Sequence, residues 1–365
     1  MPGSVAPLPQ DRLALIEAAR RAVLESSNGP APEVPGWLER SWRRCLANGQ
    51  RPQQRVGFDL IAPAARKRVL EANQPLLRAA RPVLDRLSRA LASARYFAIL
   101  TDHQGIVIDA HGPIDRSDRR AELITRTGVD LSERSVGTTA IGAALAELHP
   151  VWLHRGEHFF DDTSVYSCAG APLFTPDGRC AGMLDLTGIN AAERPELKHL
   201  VAQSARSIEN ALTLAVPHRL LLRLNWPGRT PGSDDDGLVC LDADGWVRGS
   251  NDAARQMVPR LALAGAPSHC SELFAQPWAP LFDLARGSGP QVPVEVPLWS
   301  GLRLLALPQL PGQAGVAVAP PRVPLRDAEI SLIRKAVADA RGNVQQAAQA
   351  LGISRATVYR KLGRK

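Results

Sequence analysis

Leu13, Ile16, Ala19, Val23 and Leu24 recur at helical spacing and predict an amphipathic helix over residues 11–25. Residues 26–35, rich in Pro, Gly and Ser, read as a loop. A second helix is expected over 36–47, carrying Trp37, Leu38, Trp42 and Leu46. Residues 64–94 predict one or two further helices, interrupted near Pro75 and Pro82. At Tyr96 the period changes to that of strands. Residues 96–102 and 106–111 predict a hairpin around 103–105, and 151–153 a short strand. Residues 167–174 and 180–187 flank Pro176-Asp177-Gly178, a turn in which Pro presets φ and Gly supplies positive φ. Residues 195–214 return to helix. Strands enclosed by helices predict an α+β domain over 75–215.

Beyond it, residues 216–236 hold Pro217, Pro227, Gly228, Pro231, Gly232 and three successive aspartates, and read as a linker. Residues 238–242 and 247–250 predict a second hairpin, 251–263 a helix, and 292–298 and 302–307 two strands. Together they suggest a smaller α/β domain over 237–311. An Asp-x-x-Gly theme recurs around Gly105 and Gly245 and hints at related domain types. A Pro/Gly/Ala linker follows at 312–324. The last stretch predicts three helices. Residues 325–340 carry Ile330, Ile333, Ala336 and Val337 on one face. Gly342 suits a helix end, and Asn343 a helix N-cap. Residues 344–351 form the next helix through Ala347, Ala348 and Leu351. Gly352 stops it, and Ser354 caps a last helix over 355–362.

Charge sharpens this division. Residues 1–99 hold 16 Lys+Arg against 8 Asp+Glu, residues 100–320 hold 18 against 25, and residues 321–365 hold 10 against 3. The acidic middle and densely basic end point to a polyanion partner for the tail. A merely solvated basic tail does not account for its periodic apolar segments. The five cysteines are scattered, without a Cys-x-x-Cys pair, which argues against a disulfide framework and a zinc site. Residues 1–10 lack a signal-peptide pattern and no apolar run reaches the ~20 residues that cross a bilayer, so a cytoplasmic protein is expected, with no membrane contact.

Two short helices joined by a Gly-containing turn have helix-turn-helix geometry. In the second, Ile353, Val358 and Leu362 fall on the inner face and Arg355, Thr357, Tyr359, Arg360 and Lys361 on the outer. An arginine in the first turn of such a helix reaches guanine O6 and N7, while hydroxyls and later basic residues clamp phosphates. The run Gly342-Asn343-Val344-Gln345-Gln346-Ala347-Ala348-Gln349-Ala350-Leu351-Gly352-Ile353-Ser354-Arg355-Ala356-Thr357-Val358-Tyr359-Arg360-Lys361-Leu362 closely resembles the DNA-binding domain of the Fis family. That resemblance implies Ser354, Arg355, Thr357, Tyr359, Arg360 and Lys361 as DNA-contacting residues. It also implies a homodimer, the helix over 325–341 being the dimer element.

Upstream stand Arg40-Ser41-Trp42-Arg43-Arg44-Cys45, Ser135-Val136-Gly137-Thr138-Thr139-Ala140-Ile141-Gly142, Gly156-Glu157-His158-Phe159, Cys168-Ala169-Gly170-Ala171-Pro172-Leu173 and Gly182-Met183-Leu184-Asp185-Leu186-Thr187. In this order they resemble the N-terminal sensor of acetoin-catabolism and glycerol-metabolism activators, which contains a GAF domain. On that resemblance Val136, Thr138, Trp152, His158, Cys168 and Asp185 are candidates to line a ligand pocket. Leu241-Asp242-Ala243-Asp244-Gly245 and Asn251-Asp252-Ala253-Ala254 resemble the start of a PAS domain. One departure matters. Such activators usually carry an ATPase with a G-x-x-x-x-G-K-[ST] phosphate loop before the helix-turn-helix, and this chain has no Gly-Lys pair. ATP hydrolysis and remodelling of sigma-54 polymerase are therefore not carried over.

Other chemistry is poorly supported. Glu157-His158 with Asp161-Asp162 lacks metal-ligand spacing; these residues suit a loop over the pocket, or structure alone. Cys168 and Cys180 flank one turn and could be drawn as a redox pair, but a reduced pair in the core outweighs it. Ser135 and Ser167 lack a nucleophile elbow. No catalytic residue, metal or cofactor is expected. The expected fold is an α+β multidomain chain. It has a helical N-terminal region (1–74), a GAF-like α/β sensor (75–215), a linker (216–236), a PAS-like α/β domain (237–311), a linker (312–324) and an all-α Fis-type helix-turn-helix (325–365). The expected function is a DNA-binding transcription regulator without ATPase activity. It answers a small-molecule or protein effector, with RNA polymerase a candidate partner. The rival is a signalling module whose sensor domains bind a partner protein, DNA binding being vestigial.

Overall fold

The computed structural model describes residues 9–24, 34–263, 268–287, 291–312, 337, 343–350 and 355–362. Four helices lead: α1 (Pro9–Leu24), α2 (Gly36–Ala47), α3 (Pro63–Ala72) and α4 (Gln74–Ala90). Pro75 sits in the first turn of α4, where its missing N–H is no loss. Pro82 lies inside α4 rather than interrupting it. Pro82 is exposed, while Ala80 and Val83 of the same helix are buried.

A five-stranded antiparallel sheet follows, in the order β2-β1-β5-β4-β3. Its strands are β1 (Tyr96–Asp102), β2 (Val107–His111), β3 (Val151–His154), β4 (Tyr166–Phe174) and β5 (Cys180–Ile189). Between β2 and β3 the chain forms α5 (Arg119–Thr125), α6 (Glu133–Val136) and α7 (Ala140–Glu147). After β5 comes α8 (Leu197–Leu214). Both faces of the sheet are buried. Tyr96, Ala98 and Leu100 join α4 and α8 in one core, while Phe97 and Ile99 face the other. That second core also takes Ile16, Ala19 and Val23 of α1 and Leu38, Trp42 and Cys45 of α2. The N-terminal helices thus complete the sensor core instead of forming a separate region ending at residue 74. A sheet with two apolar faces needs cover on both.

The second sheet has the order β8-β7-β6-β10-β9 and is also antiparallel throughout. Its strands are β6 (Leu220–Asn225), β7 (Gly237–Leu241), β8 (Val247–Ser250), β9 (Val294–Pro297) and β10 (Arg303–Gln309). Residues 220–225 were expected as linker; they are its central strand. Leu220, Leu222 and Leu224 face a core closed by α9 (Asp252–Met257), α10 (Cys270–Leu273) and α11 (Ala279–Arg286), while Leu221 faces Leu214 of α8. Counted from β7, this is the strand order of the first sheet, circularly permuted so that its fifth strand comes first in the chain.

The two sheets share a turn. Asp102 Oδ1 accepts from the amides of Gln104 and Ile106, as Asp242 Oδ1 does from Asp244 and Trp246, all at 2.9–3.0 Å. Gly105 and Gly245 follow with φ +88° and +86°, a region costly for any residue with a Cβ. At the C-terminus, helices Val344–Ala350 and Arg355–Leu362 pack through Ala348 and Val358. Asn343 Oδ1 caps the first by accepting from the amides of Gln345 and Gln346. The expected helix over 325–340 lies outside the described residues apart from Val337.

Candidate functional site

Strand alternation decides which side chains reach the cavity under the first sheet. On β5, Met183, Asp185 and Thr187 point to the face opposite α8; on β4, Tyr166 and Cys168 do. Between them and the helices above lies a cavity of about 30 Å³. Ile99, Ile124, Leu131, Val136 and Ile141 supply its apolar wall; His158, Cys168, Asp185 and Thr187 are also among its lining residues, and the surface open to the space is apolar.

Four of the six expected pocket residues, Val136, His158, Cys168 and Asp185, line this cavity; Thr138 and Trp152 do not. Trp152 sits between Val151 and Leu153 on β3, so alternation turns it to the α4–α8 side. Thr138 faces α2, where its Oγ1 lies 2.8 Å from Ser41 Oγ and 3.5 Å from Cys45 Sγ.

Asp185 is fully buried. Its Oδ2 accepts from Thr187 Oγ1, and Cys168 Sγ stands 3.4 Å from that hydroxyl. Its Oδ1 has no partner. Burial pushes the carboxyl up to about 7, partly offset by the Thr187 hydrogen bond. His158 is also fully buried. Its Nδ1 lies 3.0 Å from Arg155 O, and its Nε2 has no partner. Burial pushes this imidazole down to about 4. Among the described residues, Asp185 Oδ1 and His158 Nε2 are therefore buried without a partner on two residues that line one apolar cavity, each a departure from the rule that buried polar groups are paired.

The cavity roof is held by the N-terminal helices. Arg20 of α1 donates to the carbonyls of Gly156, His158 and Phe159 and pairs with Asp161. Arg12 reaches Glu157, and Trp42 Nε1 donates to Glu157 O at 2.9 Å. Ser41 Oγ and Arg44 both reach the Glu133 carboxylate on α6. Glu157 and His158 thus belong to a loop over the cavity. Sequence reasoning missed Arg20, Arg44 and Glu133. All three are part-buried, and their partners lie over 85 residues away, so no local signal marks them. Cys168 and Cys180 are both free thiols at opposite ends of the β4–β5 ladder, opposite Thr187 and Phe174 respectively, so they are not a pair. Among the described residues no group of His, Cys, Asp or Glu could hold a metal ion, and no helix is long and apolar enough to cross a membrane.

In the C-terminal helix Arg355 and Tyr359 are exposed, Val358 is fully buried and Thr357 is half-buried. Ser354 and the side chains of Arg360 and Lys361 lie outside what is described. Arg355 is thus exposed in the first turn of this helix, and Val358 is buried against Ala348.

Known proteins resemble both ends of this chain. Residues 38–210 match the family model "MimR, N-terminal domain", and residues 324–364 match "Bacterial regulatory protein, Fis family". The acetoin catabolism regulatory protein of Cupriavidus necator is 31% identical over 293 residues, 78% of this chain and 43% of that protein. The acetoin dehydrogenase operon transcriptional activator of Bacillus subtilis is 27% identical over 56% of this chain and 34% of its own length. The propane 2-monooxygenase operon transcriptional activator of Mycolicibacterium smegmatis is 31% identical over 39% of this chain and 25% of its own length. This chain therefore spans less than half the length of these relatives. Among solved structures, the E. coli DhaR(N)–DhaL complex aligns with a TM-score of 0.45 at 14% identity, over 75% of this chain and 99% of that one. By its two family matches the chain joins a MimR-type N-terminal domain to a Fis-family helix-turn-helix, and it is a relative of the acetoin-catabolism transcriptional regulators.

Proposed function

We propose that this protein is a sequence-specific DNA-binding transcription regulator whose first domain, of GAF type, holds a small effector in the cavity beside Asp185 and His158. The second domain, of PAS type, carries the signal on toward the helix-turn-helix. The single observation behind the DNA-binding reading is the basic Fis-type tail with Arg355 exposed in the first turn of its second helix. Ser354, Arg355, Thr357, Tyr359, Arg360 and Lys361 are the proposed DNA contacts. Two half-sites about one helical turn apart call for a homodimer. The strand order of the first sheet, repeated in permuted form in the second, supports the GAF and PAS assignments. Relatives named for acetoin and propane operons support an effector of small size. With no Gly-Lys pair for a phosphate loop, regulation works by occupying DNA or touching RNA polymerase, without ATP hydrolysis.

A gel shift of the full chain on fragments of its own genome tests this reading. Binding should be sequence-selective and weaken steeply with salt. Removing residues 321–365 should abolish it. Retention of a specific shift by the truncated chain overturns the assignment, as does ATP turnover above a mock preparation for the ATP-independent part.

A further inference from the structure

The positive excess of residues 1–99 is no smaller than that of the tail, and DNA reading by the tail leaves it unused. It concentrates over residues 63–95, which hold eight Lys+Arg against two Asp+Glu. Much of it stands on one helix. α4 buries Leu76, Ala80, Val83, Leu84 and Leu87 against the first sheet and α8. With 3.6 residues per turn, Arg78, Arg81 and Arg89 fall together on the opposite side and Arg86 falls beside them. All four are exposed. They span about 16 Å along the helix axis.

These arginines are also short of partners. Arg81 Nη1 lies 3.9 Å from Asp109, and among the described residues no carboxylate is within salt-bridge reach of Arg78, Arg86 or Arg89. Asp85, one turn from Arg81 and from Arg89, lies 3.9 Å from His111 instead. The arginines of α2 are disposed otherwise: Arg43 pairs with Glu39, Arg40 with Glu147, and Arg44 with Glu133 and Glu147. Like charges one turn apart repel, so solubility alone does not call for the stripe on α4. A polyanion removes the repulsion, and guanidinium forks match phosphate oxygens two at a time. A second copy of the chain would set the same arginines against one another across a two-fold axis. A helix that lies on a lipid surface inserts large apolar side chains, and none is exposed on α4. Duplex DNA is brought to the chain by the helix-turn-helix, and that attachment makes even a weak second contact effective.

We propose that the outer face of α4 is a second DNA contact, in which Arg78, Arg86 and Arg89, with Arg81, lie along the phosphate backbone beside the site bound by the helix-turn-helix. The inference rests on the DNA-binding reading. It adds a contact that strengthens binding and carries no sequence information.

The full chain is titrated at several salt concentrations on two duplexes, the cognate site alone and the same site flanked by about two helical turns of DNA on each side. The flanked duplex should bind about tenfold more tightly at low salt, with a salt slope steeper by about two to three. Replacing Arg78, Arg86 and Arg89 together by Gln should make the two duplexes bind alike, and each single replacement should lower the slope by about one. Replacing the same three by Lys keeps the charge and should keep most of the gain. Replacing Arg229, Arg286 and Arg303 of the second domain by Gln removes as much charge and should leave the gain intact. Melting curves establish that each variant is folded. Equal affinity and slope on the two duplexes for the wild type overturns the inference, as does an equal loss in the second-domain variant. So does binding to phosphatidylserine vesicles, or a dimer in ultracentrifugation, that only the α4 variant loses. Specific binding of the short duplex without any gain from the flanks means that the regulator reading stands and the inference fails. A wild type that shifts neither duplex fails both.

Discussion

Asn251 Nδ2 donates to Asn210 Oδ1 at 2.8 Å, and this bond joins the second domain to the helix that covers the first. Asn251 is the N-cap of α9. Its side-chain oxygen accepts from the amides of Ala254 and Leu238, and its amide also donates to Asp236 O. Asn210 lies in α8 and donates in turn to Asp234 O. Every polar atom of this buried pair is used.

Truncation at Asn251 should therefore cost more than a surface cap. Losing the cap and stranding the partners in the interior sums to about 3 kcal/mol. Urea denaturation of Asn251→Ala checks this. A loss within about 0.5 kcal/mol, the range of an ordinary surface change, would mean that the seam adds nothing to stability.

The loop over the cavity depends on Arg20, which supplies donors to three consecutive-region carbonyls at Gly156, His158 and Phe159. Arg20→Met keeps the aliphatic stem and removes the donors. It should cost about 2–4 kcal/mol and speed hydrogen exchange across residues 155–163. Exchange in β1 and β5 should stay slow. If the loop amides keep their protection, the loop is held by its own hydrogen bonds and not by α1.

Stability should respond to pH in opposite senses at the two cavity groups. Asp185 is raised from 3.8 to about 7 on folding. Its contribution is complete below about pH 4 and is lost as pH rises through about 7. Against Asp185→Asn, the wild type should lose up to about 1.4 kcal/mol per pH unit between those limits. His158 is lowered from 6.5 to about 4. Its contribution is complete above pH 6.5 and is lost as pH falls toward 4. Against His158→Phe, the wild type should therefore weaken on acidification through that window. Melting curves of the three proteins from pH 4 to 8 give both differences; parallel curves would show that neither group changes its proton affinity on folding.

Arg355 and Lys361 should fail differently on DNA. Arg355→Ala removes the proposed base contact and should cost roughly 1–3 kcal/mol at the cognate site, relaxing preference at one base pair. Lys361→Ala removes the proposed phosphate contact and should weaken cognate and scrambled duplexes about equally, lowering the salt slope by about one. Titration of both variants at several salt concentrations decides between these roles. Equal losses on the two duplexes for Arg355→Ala would mean that it positions the helix and sequence is read elsewhere.

Local signals in the sequence were enough for elements whose causes are local. The change of period at Tyr96 marks β1, because every second residue must reach the same face of a sheet. Asn343 marks the start of its helix, because its side chain bonds to amides two and three residues on. The two Asp-x-x-Gly turns are legible for the same reason. Contacts between distant residues had to be seen in the fold. Pro, Gly and Asp on both sides of Leu220–Asn225 looked like a linker, and an almost unbroken leucine run hides alternation; pairing with β7 and β10 makes it a central strand. Trp152 could be placed on a strand from sequence, but which face of that strand meets the cavity depended on its register with β4. Arg20, Arg44 and Glu133 gave no local sign of their roles, since each bonds to a segment far away along the chain. Asp185 was noticed as part of a motif. Its unpartnered oxygen, like the unpartnered Nε2 of His158, is buried only because β5 and the 155–163 loop close on one small apolar space, where water no longer satisfies either atom.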